Sequence, residues 1–163
     1  RAPVNKLIIF LTLTIFFTTL NAQKVKESFH PKEDFELRTD TTFNSTNIYW
    51  IFRSIPENYI IQEYQEGNKL YKYNYRNTEI EVSLPTGHLL FNKLSFKDSI
   101  EHDYSKDVIL NNCDFEGFNS QTSELQFFLT ITKPETDWTY VINLFIRMDG
   151  TSRFELPTFE DDY

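Results

Sequence analysis

Regular alternation of apolar and polar side chains is the feature that most constrains the fold of this chain. From Thr78 to Leu84 every second residue is apolar, and the same spacing recurs from Leu125 to Ile131 and from Trp138 to Met148. Successive side chains of a β-strand point to opposite faces, so this period places one face on a core and the other in water. The alternation predicts a mostly β protein.

Turn residues separate the apolar runs at intervals of roughly ten residues. Turns are predicted at Pro56-Glu57-Asn58, Glu66-Gly67-Asn68, Arg76-Asn77, Pro85-Thr86-Gly87 and Asp149-Gly150. About eight short strands with this spacing indicate an antiparallel sandwich or a partly open barrel, and a mixed α+β fold is the alternative. One short helix is predicted near residues 94–104, where Phe96 and Ile100 stand four apart and Ser95 is available as an N-cap.

Residues 1–22 have the order of segments that a secretory signal peptide requires. Arg1 and Lys6 form a positive segment before an apolar run from Leu7 to Leu20, and Ala22 supplies a small residue for cleavage. A retained membrane anchor is the alternative, but this run has 14 residues, whereas a spanning helix needs about 20 apolar residues. The sequence leaves open whether the signal is cleaved after Ala22 or retained.

Composition divides the remaining chain into three parts. Residues 23–40 are charged and are predicted to form a mobile leader with one edge strand near Phe35 to Leu37. Residues 41–157 are predicted to form a single β-rich domain, and residues 158–163 an acidic tail.

Charge and cysteine content limit the partners and the compartment. A net charge of −8 repels phosphate backbones, so nucleic acid is not expected as a partner. Cys113 is the only cysteine, which excludes an intramolecular disulfide and any CxxC motif. A bacterial lipid anchor needs a cysteine at the cleavage junction, where this chain has Ala22-Gln23. We therefore expect a periplasmic or extracellular protein without a lipid anchor, and without a transmembrane segment once the signal is cleaved.

Three segments carry a resemblance to a known family. They are LLFNKLSFKDSI, VILNNCDFEGF and LQFFLTITKPETDWTYVINLFIRMDGTSRFEL, within roughly residues 70–156. Together they resemble a family of small exported Bacteroidetes proteins of unknown function. The resemblance implies an exported bacterial protein with a mostly β fold, and it carries over no catalytic residue. Many members look like lipoproteins, and this chain differs from them in lacking the junction cysteine.

No catalytic, metal or cofactor motif stands out. His30, His88 and His102 are scattered through polar surroundings, and the HExxH, GxSxG and P-loop patterns are missing from the sequence. We therefore predict no metal, no cofactor and no catalytic residue, and an enzyme is disfavoured although not excluded. The alternative is a secreted hydrolase with paired carboxylates from acids such as Glu79, Glu81 and Asp98.

Three tyrosines at alternate positions form the best candidate site. If Tyr71, Tyr73 and Tyr75 face solvent, their rings make a flat platform for a sugar or an extended peptide. If they are buried, they belong to the core, as is expected of Trp50 and Trp138. The first functional hypothesis is a non-enzymatic domain that binds a glycan, a peptide or a protein. A structural component of the envelope is a further alternative, marked by an exposed apolar patch or an unpaired edge strand.

Overall fold

The computed structural model describes residues 24–43, 45–98 and 107–156. The predicted signal peptide and the acidic tail lie outside these residues. The described strands are β1 Lys24–His30, β2 Glu36–Phe43, β3 Thr46–Glu66, β4 Lys69–Leu84, β5 Gly87–Asn92, β6 Ile109–Asn119, β7 Glu124–Thr132, β8 Thr139–Arg147 and β9 Ser152–Glu155.

These strands form two sheets. In the first sheet the order is β1-β4-β3-β2, and β5 pairs with the second half of β4. The second sheet has the order β6-β7-β8-β9. All described pairs are antiparallel except β1 with β4, which is parallel. The prediction of a mostly β, sandwich-like fold is confirmed, and the two sheets do not close into a barrel.

The predicted alternation locates the core between the sheets. From the second sheet, the buried side chains are Leu110, Leu125, Phe127, Leu129, Ile131, Ile142, Leu144 and Ile146. From the first sheet, they include Ile48, Trp50, Phe52, Ile80, Val82 and Leu84. The Trp50 ring lies 5.4 Å from that of Phe127, which confirms Trp50 as a core residue. Trp138 is only partly buried and packs against the edge of this core.

Two turns predicted in the first sheet are wrong. Chain segments on either side of Pro56-Glu57-Asn58 belong to one continuous strand, β3, and those around Arg76-Asn77 belong to β4. The register shifts between Ser54 and Tyr59, so residues 55–58 of β3 face a single residue of β4. A bulge tolerates a proline without a backbone N–H and a residue with positive φ, here Glu57 at 56°. The turn residues therefore mark a bulge.

The expected leader contributes two strands of the first sheet, where the sequence predicted one. Residues 24–30 form β1 on the edge of β4, and β2 is the opposite edge strand. Most of their side chains are exposed, which is why their charged composition hid the strand pattern. The buried guanidinium of Arg76 holds the connection between them, because it donates to Asp34 Oδ1 at 2.5 Å and to the Pro31 carbonyl at 3.1 Å.

The predicted helix is much shorter in the described part of the chain. A 3₁₀ helix covers Lys93–Phe96, and its N-cap is Asn92, not Ser95. The Asn92 side chain accepts from the Leu94 N–H, and the Asn92 N–H donates to the Ser95 hydroxyl. The later residues of the predicted helix lie outside the description. Within the three described ranges no helix is long and apolar enough to cross a membrane.

A buried carboxylate on the second sheet makes a pH-dependent contribution to stability. Glu124 accepts from Arg153 Nη2 at 3.0 Å and from Arg147 Nε at 3.2 Å. The hydrogen bond from Arg153 is the main reason why the pKa of Glu124 lies below its usual value. A carboxyl whose pKa is lower in the folded state stabilises the fold above its unfolded pKa. That stabilisation disappears as the pH falls through the folded pKa.

We therefore expect Glu124→Gln to make unfolding less sensitive to pH in the acid range. Wild type should lose more stability than the variant when the pH is lowered from 7 to about 3, since glutamine takes up no proton. Denaturant unfolding at a series of pH values measures this. Glu116→Gln, at an exposed position of β6, is the control, and equal pH slopes for both variants would contradict the assignment to Glu124.

Candidate functional site

One face of the first sheet, beyond the bulge in β3, is rich in tyrosine. The three predicted tyrosines of β4 are flanked by residues of β1 and β3 that are paired with them. The residues of this face are Lys26, Ser28 and His30 of β1, Tyr71, Tyr73 and Tyr75 of β4, and Ile60, Gln62 and Tyr64 of β3. We call this set the tyrosine face.

Three tyrosine rings on this face are accessible from solvent. Tyr64 is 59% exposed, and Tyr71 and Tyr73 are half-buried. The rings of Tyr64 and Tyr71 lie 6.1 Å apart, and the Lys26 ammonium lies 5.6 Å from the centre of the Tyr71 ring. The alternation predicted from the sequence thus brings Tyr71 and Tyr73 to an open surface, and the pairing of strands adds Tyr64.

Tyr75 has a different environment. It is buried with Ile60 and Ile109, and the imidazole of His30 stacks on its ring at 5.1 Å. Its hydroxyl donates to Glu135, in the loop between β7 and β8. Burial and this hydrogen bond raise the pKa of Tyr75. Tyr75 therefore anchors the tyrosine face, and its ring is not free for a ligand in this arrangement.

The accessible part of the tyrosine face is polar, and apart from the Lys26 ammonium it offers mainly hydroxyl, amide and ring groups. Partial burial and the hydrogen bond to Glu66, at 3.2 Å, raise the pKa of Tyr71 above its usual value. Gln62 adds an amide, and the Ser28 hydroxyl lies 3.1 Å from His30 Nε2. Such groups offer hydrogen bonds to an uncharged ligand beside the apolar faces of the rings.

Two of the three acids considered for hydrolysis, Glu79 and Glu81, belong to one ion-pair network. Arg53 Nε lies 2.7 Å from Glu79, and its Nη2 lies 3.1 Å from Glu81. His88 Nδ1 lies 3.3 Å from the Glu81 carboxylate. Asp98 is exposed and lies beyond the 3₁₀ helix. Glu79 borders a cleft of about 540 Å³, which the Arg53 side chain also lines. The structure thus brings Glu79 and Glu81 together, but with a guanidinium between them.

A second concave site lies beside the bulge of β3, and no sequence motif indicated it. This cleft of about 370 Å³ is lined by apolar residues of β3 that include Ile60 and by six polar residues, namely Asn58, Asn77, Thr78, Asn92, Lys93 and Asp107. We call it the asparagine cleft. Its polar residues come from separate elements, so only the fold assembles them. The break in alternation at Arg76-Asn77 was the one sequence signal, and we interpreted it as a turn.

Two polar groups of the asparagine cleft are unusual. Asn77 is 5% exposed and donates through Nδ2 to Asn58 Oδ1 at 2.7 Å. Its own Oδ1 is buried and has no hydrogen-bond partner among the described residues. Burial lowers the pKa of Lys93, and the charge of Asp107 opposes this shift.

The described residues offer little for nucleophilic or metal chemistry. Cys113 lies on β6 against the core, and burial raises the pKa of its thiol to about 12. The reactive thiolate is therefore scarce at neutral pH. Across residues 24–43, 45–98 and 107–156, no three of the side chains His, Cys, Asp and Glu form a group that could hold a metal ion.

Comparison with known proteins does not assign this chain to a family. No protein-family model matches the chain, and no curated protein matches its sequence. The resemblance to exported Bacteroidetes proteins stays a prediction, and the functional argument depends on the sites themselves.

Proposed function

We propose that this chain is an exported, non-enzymatic binding domain whose tyrosine face holds a neutral glycan. The observation that carries the proposal is the open surface on which Tyr64, Tyr71 and Tyr73 lie beside polar side chains of β1 and β3. Tyrosine rings provide rigid apolar contact area at a low cost in conformational entropy. The amide and hydroxyl groups around them match the hydroxyl groups of a sugar.

The position of β4 favours a glycan over an extended peptide. Its backbone is already paired with β1 on one side and β3 on the other, over residues 69–75. A peptide lying on this face finds no free main-chain groups with which to form a ladder, and strand addition requires a sheet edge. A sugar needs only side chains. The net charge of −8 further favours a neutral glycan over a polyanionic one.

The hydrolase alternative has less support than the binding proposal, because its candidate acids Glu79 and Glu81 are both paired with Arg53. In a glycoside hydrolase the two carboxyl groups face each other across the scissile bond, whereas here the Arg53 guanidinium occupies the space between them.

Export is a separate part of the proposal and depends on the order of charged and apolar residues in 1–22. Locating the native protein in the medium, the periplasm and the membrane fraction tests it.

Removing the two half-buried tyrosines is expected to abolish most glycan binding. The test uses immobilised neutral polysaccharides, namely starch, mixed-linkage β-glucan, xylan and mannan, with polygalacturonate as the anionic comparison. We expect Tyr71→Ala with Tyr73→Ala to weaken binding about tenfold to hundredfold, since each aromatic contact contributes about 0.5–1.5 kcal/mol. Biolayer interferometry measures the affinities.

Two further variants separate stacking from other effects. Tyr71→Phe with Tyr73→Phe keeps both rings and should retain most of the affinity. Tyr49→Ala removes a half-buried tyrosine from the other half of β3, away from the tyrosine face, and should leave binding unchanged. Equal affinity of the double alanine variant and wild type, or no binding of any neutral polysaccharide by wild type, would refute the proposal.

A further inference from the structure

The tyrosine face and the asparagine cleft meet at one residue. Ile60 is the partner of Tyr75 in the pairing of β3 with β4, at the end of the tyrosine face that approaches the bulge. The same Ile60 lines the asparagine cleft. The cleft therefore begins beside the row of the tyrosine face that holds Tyr75 and Ile60, two residues along β4 from Tyr73.

The flat face and the cleft differ in what they offer a ligand. On the tyrosine face, polar groups lie at the sides of a plane. In the cleft, Asn58 stands on β3, Asn77 on β4, Asn92 on β5 and Lys93 on the 3₁₀ helix, so polar groups come from several directions. A volume of about 370 Å³ lies near the lower end of the range for small-molecule sites. This arrangement of polar groups suits a compact unit with hydroxyl groups on several sides.

Asn77 provides an independent indication of a ligand. A buried carbonyl oxygen without a partner destabilises a fold, and such groups in native proteins call for an explanation. Within the described part of the chain, Asn77 Oδ1 is such a buried oxygen without a partner, and Asn77 lines the cleft. Asn58, which accepts from Asn77, is exposed and belongs to the irregular segment of β3. A ligand hydroxyl that reaches Asn77 Oδ1 would supply the hydrogen bond that this oxygen lacks, once the side chain of Asn58 has moved aside.

We infer that the asparagine cleft binds the terminal sugar unit of the glycan whose following units lie on the tyrosine face. The inference rests on the proposed function and adds that the protein recognises a chain end. A terminal unit carries a hydroxyl group at the position where an internal unit is linked, so it presents more donors to Asn77 and its neighbours. The domain then binds each glycan chain once, at its end.

Binding to chain ends makes affinity depend on the number of chains and not on the mass of sugar. The experiment takes the neutral polysaccharide that binds wild type best, and cuts it by limited acid hydrolysis to about ten times as many ends at constant mass. As a soluble competitor, the cut material should be about tenfold more potent per gram than the intact polymer. Equal potency per gram, with binding that still requires Tyr71 and Tyr73, would overturn end recognition and leave the proposed function standing.

Variants of the cleft show whether the end preference comes from it. Asn77→Leu, which removes the unpaired carbonyl, should abolish the gain in potency while leaving the thermal unfolding midpoint no lower than that of wild type. Asn58→Ala changes an exposed residue and should give the same loss in a protein that folds normally. Asn143→Leu, on β8 of the second sheet, is the matched control and should keep the gain. An undiminished gain in both cleft variants would place the end site elsewhere.

A titration with monosaccharides tests the cleft without the tyrosine face. Glucose, galactose, mannose and xylose are added to isotope-labelled wild type, and the side-chain amide signals of Asn58, Asn77 and Asn92 are followed by NMR. Saturable shifts for at least one sugar, in a protein that binds polysaccharide through its tyrosines, support the inference. Unchanged amide signals with all four sugars, in a protein that binds polysaccharide through its tyrosines, overturn it.

Discussion

Replacing Phe127 with alanine is expected to lower the free energy of unfolding by about 3–5 kcal/mol, the usual loss for a large aromatic side chain in a closed core. Phe127 is 0% exposed, and its ring lies 5.4 Å from that of Trp50 and 5.3 Å from that of Phe115. The contact with Phe115 lies within the second sheet, and the contact with Trp50 crosses to the first sheet. Alanine leaves a cavity between them that the rigid strands fill only in part. Urea unfolding followed by circular dichroism measures the change.

Phe128 provides a matched control on the same strand. It is the same residue type one position later, so it points to the opposite face of β7 and is only half-buried. We expect Phe128→Ala to cost less than about 1.5 kcal/mol. Equal losses for the two variants would contradict a core confined to the inner faces of the sheets.

Replacing Arg76 with alanine is expected to have the second largest effect, about 2–3 kcal/mol. The Arg76 side chain is 9% exposed, whereas its partner Asp34 is 57% exposed and regains water when the pair is broken. The variant loses the bonds to Asp34 and to Pro31, and also the contact with the Tyr59 hydroxyl at 3.1 Å. Because these partners lie before β2 and on β3, the loss should be greatest where β1 joins the sheet.

Limited trypsin digestion locates this effect along the chain. We expect Arg76→Ala to speed cleavage after Lys24, Lys26 and Lys32 under conditions where the core strands stay intact. Arg38→Ala is the control, because Arg38 forms an exposed pair with Asp40 at 3.2 Å, which contributes at most about 1 kcal/mol. Equal digestion of segment 24–34 in wild type and in the Arg76 variant would show that Arg76 does not hold this segment.

Only the part of the candidate site that follows from a local sequence pattern was predictable. Alternation placed Tyr71, Tyr73 and Tyr75 on one face of a strand, and they do share a face. Their different exposures depend on neighbours that are remote in sequence. Glu135 accepts from the Tyr75 hydroxyl across sixty residues of chain, and His30 reaches the same ring through the parallel pairing of β1.

Bulges and edge strands were the features of the fold that local patterns misrepresented. Pro56-Glu57-Asn58 and Arg76-Asn77 have the composition of turns, yet the long-range ladder between β3 and β4 continues on both sides of them. The two strands stay paired through the irregularity because the residue pairs on both sides of it form backbone hydrogen bonds. A single bulge costs less than the loss of a whole hairpin. Edge strands such as β1 expose most side chains, so their sequence lacks the apolar period.

The sequence by itself determined the class of fold and the inner faces of the strands, because side-chain direction in a strand alternates with a period of two whatever the tertiary context. It also determined the net charge and the single cysteine. Only the tertiary structure decided which tyrosines stay open to a ligand, and that Asn58, Asn77, Asn92 and Lys93 line one cleft. Those properties depend on strand order, register and a bulge, which arise from contacts between residues far apart in the chain.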